Sequence, residues 1–168
     1  PLRTGSVNVG SLKGKDGEVV NMAVEGHLDF CCLQETRWRG EGARRTGAYK
    51  LFWRGGEKGI HGVGMLVADR WIEMVLEVRR VSERVMVVRV IVGRSVLNLI
   101  SVYAPHTGYS RMDKEEFLAM LGEVVSRIDS GERLLICGDL NGHVGSQING
   151  FEGVHGGFHH HHHHHWLW

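Results

Sequence analysis

The chain has 168 residues, and its 20 lysines and arginines stand against 19 aspartates and glutamates, a formal net charge of +1 that excludes a histone-like polycation. Glycine contributes 24 residues, yet 42% of the chain is hydrophobic and only two residues are proline, which excludes both collagen and a disordered linker. The three cysteines, Cys31, Cys32 and Cys137, are odd in number and have no repeated spacing, so a disulfide framework is not expected. The longest apolar region, 85–104, is interrupted by Arg89 and Arg94, and no secretory leader is visible; these features point to an intracellular, soluble chain without a membrane partner.

In chain order, residues 3–9 form a first strand candidate. Residues 17–26 read as a helix with Val19, Val20, Ala23 and Val24 on one stripe and Asp16 as its N-cap. The nearly continuous apolar run 28–34 has the length of a strand covered on both faces. From 48 to 103 the signal is strand after strand, at 48–53, 60–68, 73–79, 84–93 and 95–103, and a largely antiparallel meander is expected. Residues 112–129 read as a helix, because Phe117, Met120, Leu121, Val124, Val125 and Ile128 recur with helical spacing. A last strand is expected at 133–138. The alternation of strands and helices indicates a layered α/β or α+β domain.

Several of these strands end in a polar residue of a type used in catalysis: Asn8, Glu35, Tyr103 and Asp139, with Asn141 two residues further on. Sites in sheet proteins gather at such ends. Each residue alone has a structural explanation. Asn8 and the Asp139–Gly142 segment suit turns, Glu35 suits a solvated loop, and Tyr103 suits a core aromatic at a strand end. Taken together, two carboxylates, two carboxamides and a phenol fit phosphodiester hydrolysis with Mg²⁺ or Mn²⁺. A hard cation needs few protein oxygens, a second carboxylate can deprotonate water, and amide or phenol donors stabilise charge on phosphate oxygens.

The segments SVNVGSL (6–12), CLQETRW (32–38), GVGMLV (62–67), SVYAP (101–105) and GDLNGHVG (138–145) resemble, in order and spacing, the endonuclease/exonuclease/phosphatase superfamily. The likeness is greatest to the apurinic-endonuclease-like domain of LINE-type retrotransposons and to craniofacial development protein 2-like sequences, and it covers nearly all of residues 3–158. The resemblance implies a four-layered α-β-β-α sandwich with Mg²⁺ as cofactor. By the same resemblance Glu35 and Asn8 hold the metal, Tyr103 and Asn141 contact the phosphate, and Asp139 handles the attacking water. Two departures stand out. Gly10 occupies the place where many relatives carry a second acidic residue, and no Asp-His motif follows the last strand, so the domain is expected to lack its C-terminal part.

Between Arg37 and Lys58 lie seven basic residues against two acidic ones, with Trp38 and Trp53 interleaved. Arg37, Trp38, Arg39, Arg44 and Arg45 are therefore candidates for contact with a nucleic-acid backbone, DNA being the expected partner. The run His159–His165 and the Trp-Leu-Trp that follows are set apart from the domain at 1–158 as a tag, a frame change or low-complexity sequence. A DNA endonuclease of retrotransposon origin, impaired or inactive for want of the C-terminal Asp-His motif, is the leading expectation. A non-catalytic remnant that binds nucleic acid or a partner, and a phosphatase or RNA nuclease of the same superfamily, are the alternatives.

Overall fold

The structure, a computed structural model, describes residues 2–140 and, in the C-terminal tail, the backbone of 163–166. Asn141, His143 and His155 lie outside the described residues. The first half of the chain builds one sheet: β1 (Thr4–Asn8), β2 (Phe30–Gln34), β3 (Glu41–Thr46), β4 (Tyr49–Arg54) and β5 (Val63–Ala68), with α1 (Asp16–Glu25) connecting β1 to β2. After the short α2 (Asp69–Ile72), a second sheet forms from β6 (Val75–Ser82), β7 (Val85–Val92), β8 (Ser95–Tyr103) and β9 (Arg133–Asp139). Helix α3 (Arg111–Ser126) connects β8 to β9. A final strand, β10 (His163–Trp166), falls within the histidine-rich tail and pairs antiparallel with β1, Val7 facing His163 and Thr4 facing Trp166.

The strand order is β10-β1-β2-β5-β4-β3 in the first sheet and β6-β7-β8-β9 in the second. Each helical crossover joins parallel strands, β1 to β2 and β8 to β9, while the remaining pairs within 30–103 are antiparallel. Three apolar clusters then define four layers. Val20 and Ala23 of α1 pack on Val7, Leu33, Leu51 and Leu66. Phe30, Cys32, Met65 and Val67 face Met86, Val88, Leu99 and Cys137 between the sheets. Phe117, Leu121 and Val124 of α3 cover Val87, Ile100, Val102 and Ile136. The order is thus α-β-β-α, as the family resemblance implies. Its two inner sheets are covered on both faces, and this is why β2, β5 and β7 read as apolar runs rather than alternating ones.

Three details differ from the sequence reading. Asp16 is not the N-cap of α1: the cap position is Lys15, with no side-chain hydrogen bond, and Asp16 sits in the first turn, where its carboxylate meets Arg44 at 2.5 Å. Strand β3 was not expected, because EGARRT is exposed along almost its whole length and carries no apolar alternation. Its pairing comes from β4, through a turn that includes Gly47 at φ 60°. The expected meander is also split, since β4 and β5 belong to the first sheet and β6, β7 and β8 to the second.

The end of the first sheet remote from the features below is closed by a buried carboxylate. Asp29 accepts hydrogen bonds from Arg3 N at 2.7 Å and Trp71 Nε1 at 2.9 Å, and it also pairs with Arg70. Its full complement of partners marks it as structural. All three cysteines are free and buried, and among the described residues no helix is long and apolar enough to cross a membrane.

Candidate active site

Strand register brings the polar ends together. Asn8 lies opposite Gln34 in the parallel β1–β2 pair, Val63 starts β5 opposite the same Gln34, and Tyr103 lies opposite Asp139 in the parallel β8–β9 pair. Both sheets deliver these ends to one rim, and the two halves touch there: Tyr103 Oη donates to Glu35 Oε1 at 2.7 Å. Gly10, left-handed at φ 69°, sits beside the other carboxylate oxygen, and a Cβ at this position would lie 3.7 Å from Glu35 Oε2. Asn8 Oδ1 accepts from Gly10 N at 3.0 Å, which closes the turn that brings residue 10 back toward Glu35.

The loop carrying Glu35 is strapped on both sides. Val9 N donates to Gln34 O and Leu12 N to Thr36 O, each at 2.9 Å. From the other side Thr36 N donates to Gly62 O at 3.2 Å and Arg37 N to His61 O at 2.8 Å. Glu35, Arg37 and His61 all adopt left-handed backbone, with φ of 59°, 57° and 59°. Such conformations cost on the order of 1 kcal/mol each for residues with a Cβ, and they persist where surrounding bonds over-determine them. Two glycines permit the close approaches: a Cβ on Gly62 would fall 2.3 Å from Thr36 Oγ1, and one on Gly138 would fall 2.1 Å from Val102 O. Gly138, at φ 143°, therefore allows β9 to lie tight against β8 immediately before Asp139.

Beneath Glu35 the sheets are joined by polar bonds inside the core. Gln34 is fully buried, and its Nε2 donates to Ser6 Oγ at 3.1 Å in the first sheet and to Ser101 Oγ at 3.5 Å in the second. Ser101 Oγ in turn donates to Leu33 O at 3.1 Å. This chain fixes the spacing of the sheets one residue below the Glu35–Tyr103 contact. It is absent from the list of residues the sequence pointed to, because a single Gln between an apolar run and a Glu gives no sign of what it crosses to.

Tyr103 is both things the sequence allowed, a member of the central apolar cluster and a polar contact on the rim. Burial raises its hydroxyl pKa, the bond to Glu35 raises it further, and the charges of Glu35 and Asp139 act in the same direction against Arg84. The phenol is thus held as a neutral donor. Three neighbours were missed by the sequence reading. Arg84 Nη1 donates to Tyr103 O at 3.0 Å, and the His61 ring lies 5.9 Å from those of both Tyr103 and Tyr109. A signal existed for none of them, since His61 and Arg84 precede strands whose relative order is not written in the sequence.

The basic candidates divide. Arg37 and Arg39 are exposed at the rim, and Arg37 Nη2 lies 3.6 Å from Glu35 Oε2. Arg44 and Arg45 lie further along edge strand β3, where Arg44 meets Asp16 and Arg45 meets Asp69 at 3.1 Å. Trp38 is half-buried and packs edge-on against Trp53 at 5.0 Å, while the Arg44 guanidinium lies 4.7 Å from its ring. Among the described residues no group of three or more His, Cys, Asp or Glu side chains is placed to hold a metal.

The fold is shared with known enzymes. An AP endonuclease from Archaeoglobus fulgidus superimposes with a TM-score of 0.64 at 20% identity, over 83% of this chain and 57% of that one. The 3′ phosphatase NExo from Neisseria, bound to a product DNA hairpin, gives 0.63 at 19% identity over 84% and 58%. The endonuclease domain of TRAS1, a telomere-specific non-LTR retrotransposon, gives 0.62 at 18% identity over 84% and 61%. The chain thus spans 57% to 61% of the length of these structures. No curated protein matches the sequence. The sequence does match the Endonuclease/Exonuclease/phosphatase family over residues 5–163, and the chain belongs to that family.

Proposed function

We propose that the chain is a divalent-metal-dependent phosphodiester hydrolase acting on nucleic acid, and specifically a DNA endonuclease of the retrotransposon kind. The observation that carries this reading is the meeting of Glu35 with Tyr103, the latter paired in register with Asp139, at the rim where both sheets end. The donor set fits a hard cation that keeps most of its ligands from water and phosphate. The carboxylate of Glu35 and the carboxamide of Asn8 offer the oxygen donors that such a cation prefers. Mg²⁺ or Mn²⁺ held there would neutralise charge on the phosphate and on the departing oxygen.

The protein's own groups account for the rest. Asp139 takes a proton from the attacking water as its oxygen bonds to phosphorus, and the bond to the leaving sugar oxygen breaks. Tyr103, kept protonated, donates to a phosphate oxygen, a role assigned equally to the Asn141 amide. Arg37 and Arg39 bring positive charge to the same rim, and Trp38, Arg44 and Arg45 extend it along the β3 edge as a track for the DNA backbone. The superimposed structures, which include an AP endonuclease and a retrotransposon endonuclease domain, support nucleic acid as the substrate class.

The 168-residue chain, without the Asp-His motif, is expected to nick supercoiled plasmid slowly in Mg²⁺ and to stop on addition of EDTA. Asp139→Asn and Glu35→Gln should each slow nicking by about 10²–10⁴-fold. Plasmid retained by the protein but never nicked would replace this reading with that of a nucleic-acid-binding remnant. Nicking unchanged in Asp139→Asn would remove Asp139 from its role.

A further inference from the structure

Beside the Glu35–Tyr103 pair lies a cluster that the reaction above leaves unused. His61 lies just before β5, Arg84 immediately precedes β7, and Tyr109 precedes the N-cap of α3, so three separate connections converge on one side of Tyr103. His61 Nε2 lies 3.1 Å from Tyr109 Oη and 3.4 Å from Arg84 Nη2. The guanidinium is fixed from below by its bond to Tyr103 O and lies 5.5 Å and 5.0 Å from the ring centres of Tyr103 and Tyr109. His106 packs edge-on against Tyr109 at 4.5 Å, exposed at the mouth.

Within the cluster, donors outnumber acceptors. Neutral imidazole with Nε2 bare offers one lone pair, and two donors, the Tyr109 hydroxyl and an Arg84 N–H, are aimed at it. In the other tautomer Nε2 is itself a donor beside a guanidinium that has nothing to accept with. Either arrangement leaves at least one donor without an acceptor within the cluster. Charge tells the same story: among the described residues Arg84 has no carboxylate partner, whereas Arg37, Arg44, Arg45, Arg80 and Arg89 each have one. Burial and, after it, the Arg84 charge lower the His61 pKa, only partly opposed by Glu83 and Glu35, so a proton on the imidazole is disfavoured until a negative charge enters beside it.

We propose that His61, Arg84 and Tyr109 form a phosphate-binding subsite beside the Glu35–Tyr103 site, which receives a phosphate of the substrate other than the one being cut. A phosphate oxygen placed between Arg84 and Tyr109 accepts from both and lets His61 become a third donor on gaining a proton. The rigidity of the cluster, a guanidinium pinned by a backbone carbonyl and flanked by two rings, is that of a preformed anion site. That the anion belongs to a polynucleotide rests on the function proposed above. The phosphate is either an internal phosphodiester flanking the cut or a terminal phosphomonoester, and both present the same oxygens.

The test is made in EDTA, where no cleavage occurs. Protein labelled with ¹⁵N-histidine is titrated with inorganic phosphate, with an oligothymidylate lacking terminal phosphates, and with the same oligonucleotide carrying a terminal phosphate. The His61 ring signal is assigned by its loss in His61→Gln. It is expected to shift with phosphate, and Arg84→Gln and Tyr109→Phe are each expected to weaken binding about tenfold. A shift with the unphosphorylated oligonucleotide identifies the internal phosphodiester as the occupant, and a shift with only the phosphorylated one identifies the terminal group. A His61 signal unmoved by all three probes, or unchanged affinity in folded Arg84→Gln, overturns the subsite. Nicking that persists beside an unmoved signal would remove the subsite alone, and a shift without nicking would remove the proposed activity alone.

Discussion

The contact between Glu35 and Tyr103 joins a carboxylate to a phenol that burial already keeps protonated. Because burial is the largest cause, replacing Glu35 by Gln should lower the Tyr103 pKa while leaving it above that of a free tyrosine. Ring-labelled tyrosine followed by NMR through alkaline titration measures this directly, and a Tyr103 that titrates normally in Glu35→Gln would show the carboxylate to be the main cause. At this scale the sequence indicated types but not partners. Glu35, Tyr103, Asp139 and Asn8 were legible because each closes an apolar run with a polar group of suitable chemistry. His61, Arg84 and Gln34 were not, since a residue's partner across two sheets depends on strand order, which periodicity leaves open.

Among the elements, α3 shows what local chemistry alone can determine. Its apolar residues return every three or four positions, and its start is marked by Ser110, whose hydroxyl accepts from Asp113 N at 3.1 Å and donates to Asp113 Oδ2 at 2.8 Å. Ser110→Ala should destabilise the protein by about 1 kcal/mol, and Ser110→Asp by much less, as measured by urea denaturation. Equal stability of the serine and alanine forms would show that the cap contributes nothing here. Strand β3 is the opposite case. Its residues are charged or small, and it exists because β4 offers a free edge and Arg80 bonds to Gly42 O at 2.8 Å and Trp53 O at 3.0 Å from the other sheet. Information of that kind is tertiary, and no window of EGARRT contains it. The N-terminus of α1 went astray for a related reason, as Asp16 is drawn to Arg44 of β3 instead of to its own helix.

For the molecule as a whole, the buried acids set its response to alkali. Burial pushes the Cys31 thiol up to about 12 from an ordinary 9.0, with the charge of Cys137 adding to it, and burial also raises Tyr49 and Tyr103. These groups keep their protons in the folded state, whereas the unfolded chain releases its thiol protons from pH 9 upward. Stability is therefore fully present below pH 9 and falls as the pH rises, by about 1.4 kcal/mol per unit for Cys31 alone. His61 acts at the other end: its folded pKa is lowered, so below the ordinary value of 6.5 the unfolded chain takes up the extra proton and stability declines. Urea midpoints measured from pH 5 to 11 should trace a plateau between about 6.5 and 9, and midpoints level to pH 11 would contradict the buried-thiol account. The plan of the fold was legible at this scale through the order of its motifs, whose resemblance to the family implies four layers.

That plan also dictates when the site comes into being. Apart from β10, the first sheet is built entirely from the chain before residue 69 and the second entirely from residues 75–139. Glu35 belongs to one block and Tyr103 with Asp139 to the other. Each block can form its hairpins from neighbours in sequence, but neither can bring a carboxylate to a phenol until the two faces close on Met65, Met86 and Leu99. Half of the molecule, however well folded, holds only half of the proposed site. The Tyr103–Glu35 bond is consequently a reporter of completed assembly, and a nascent chain that has not yet presented its second sheet lacks the proposed site.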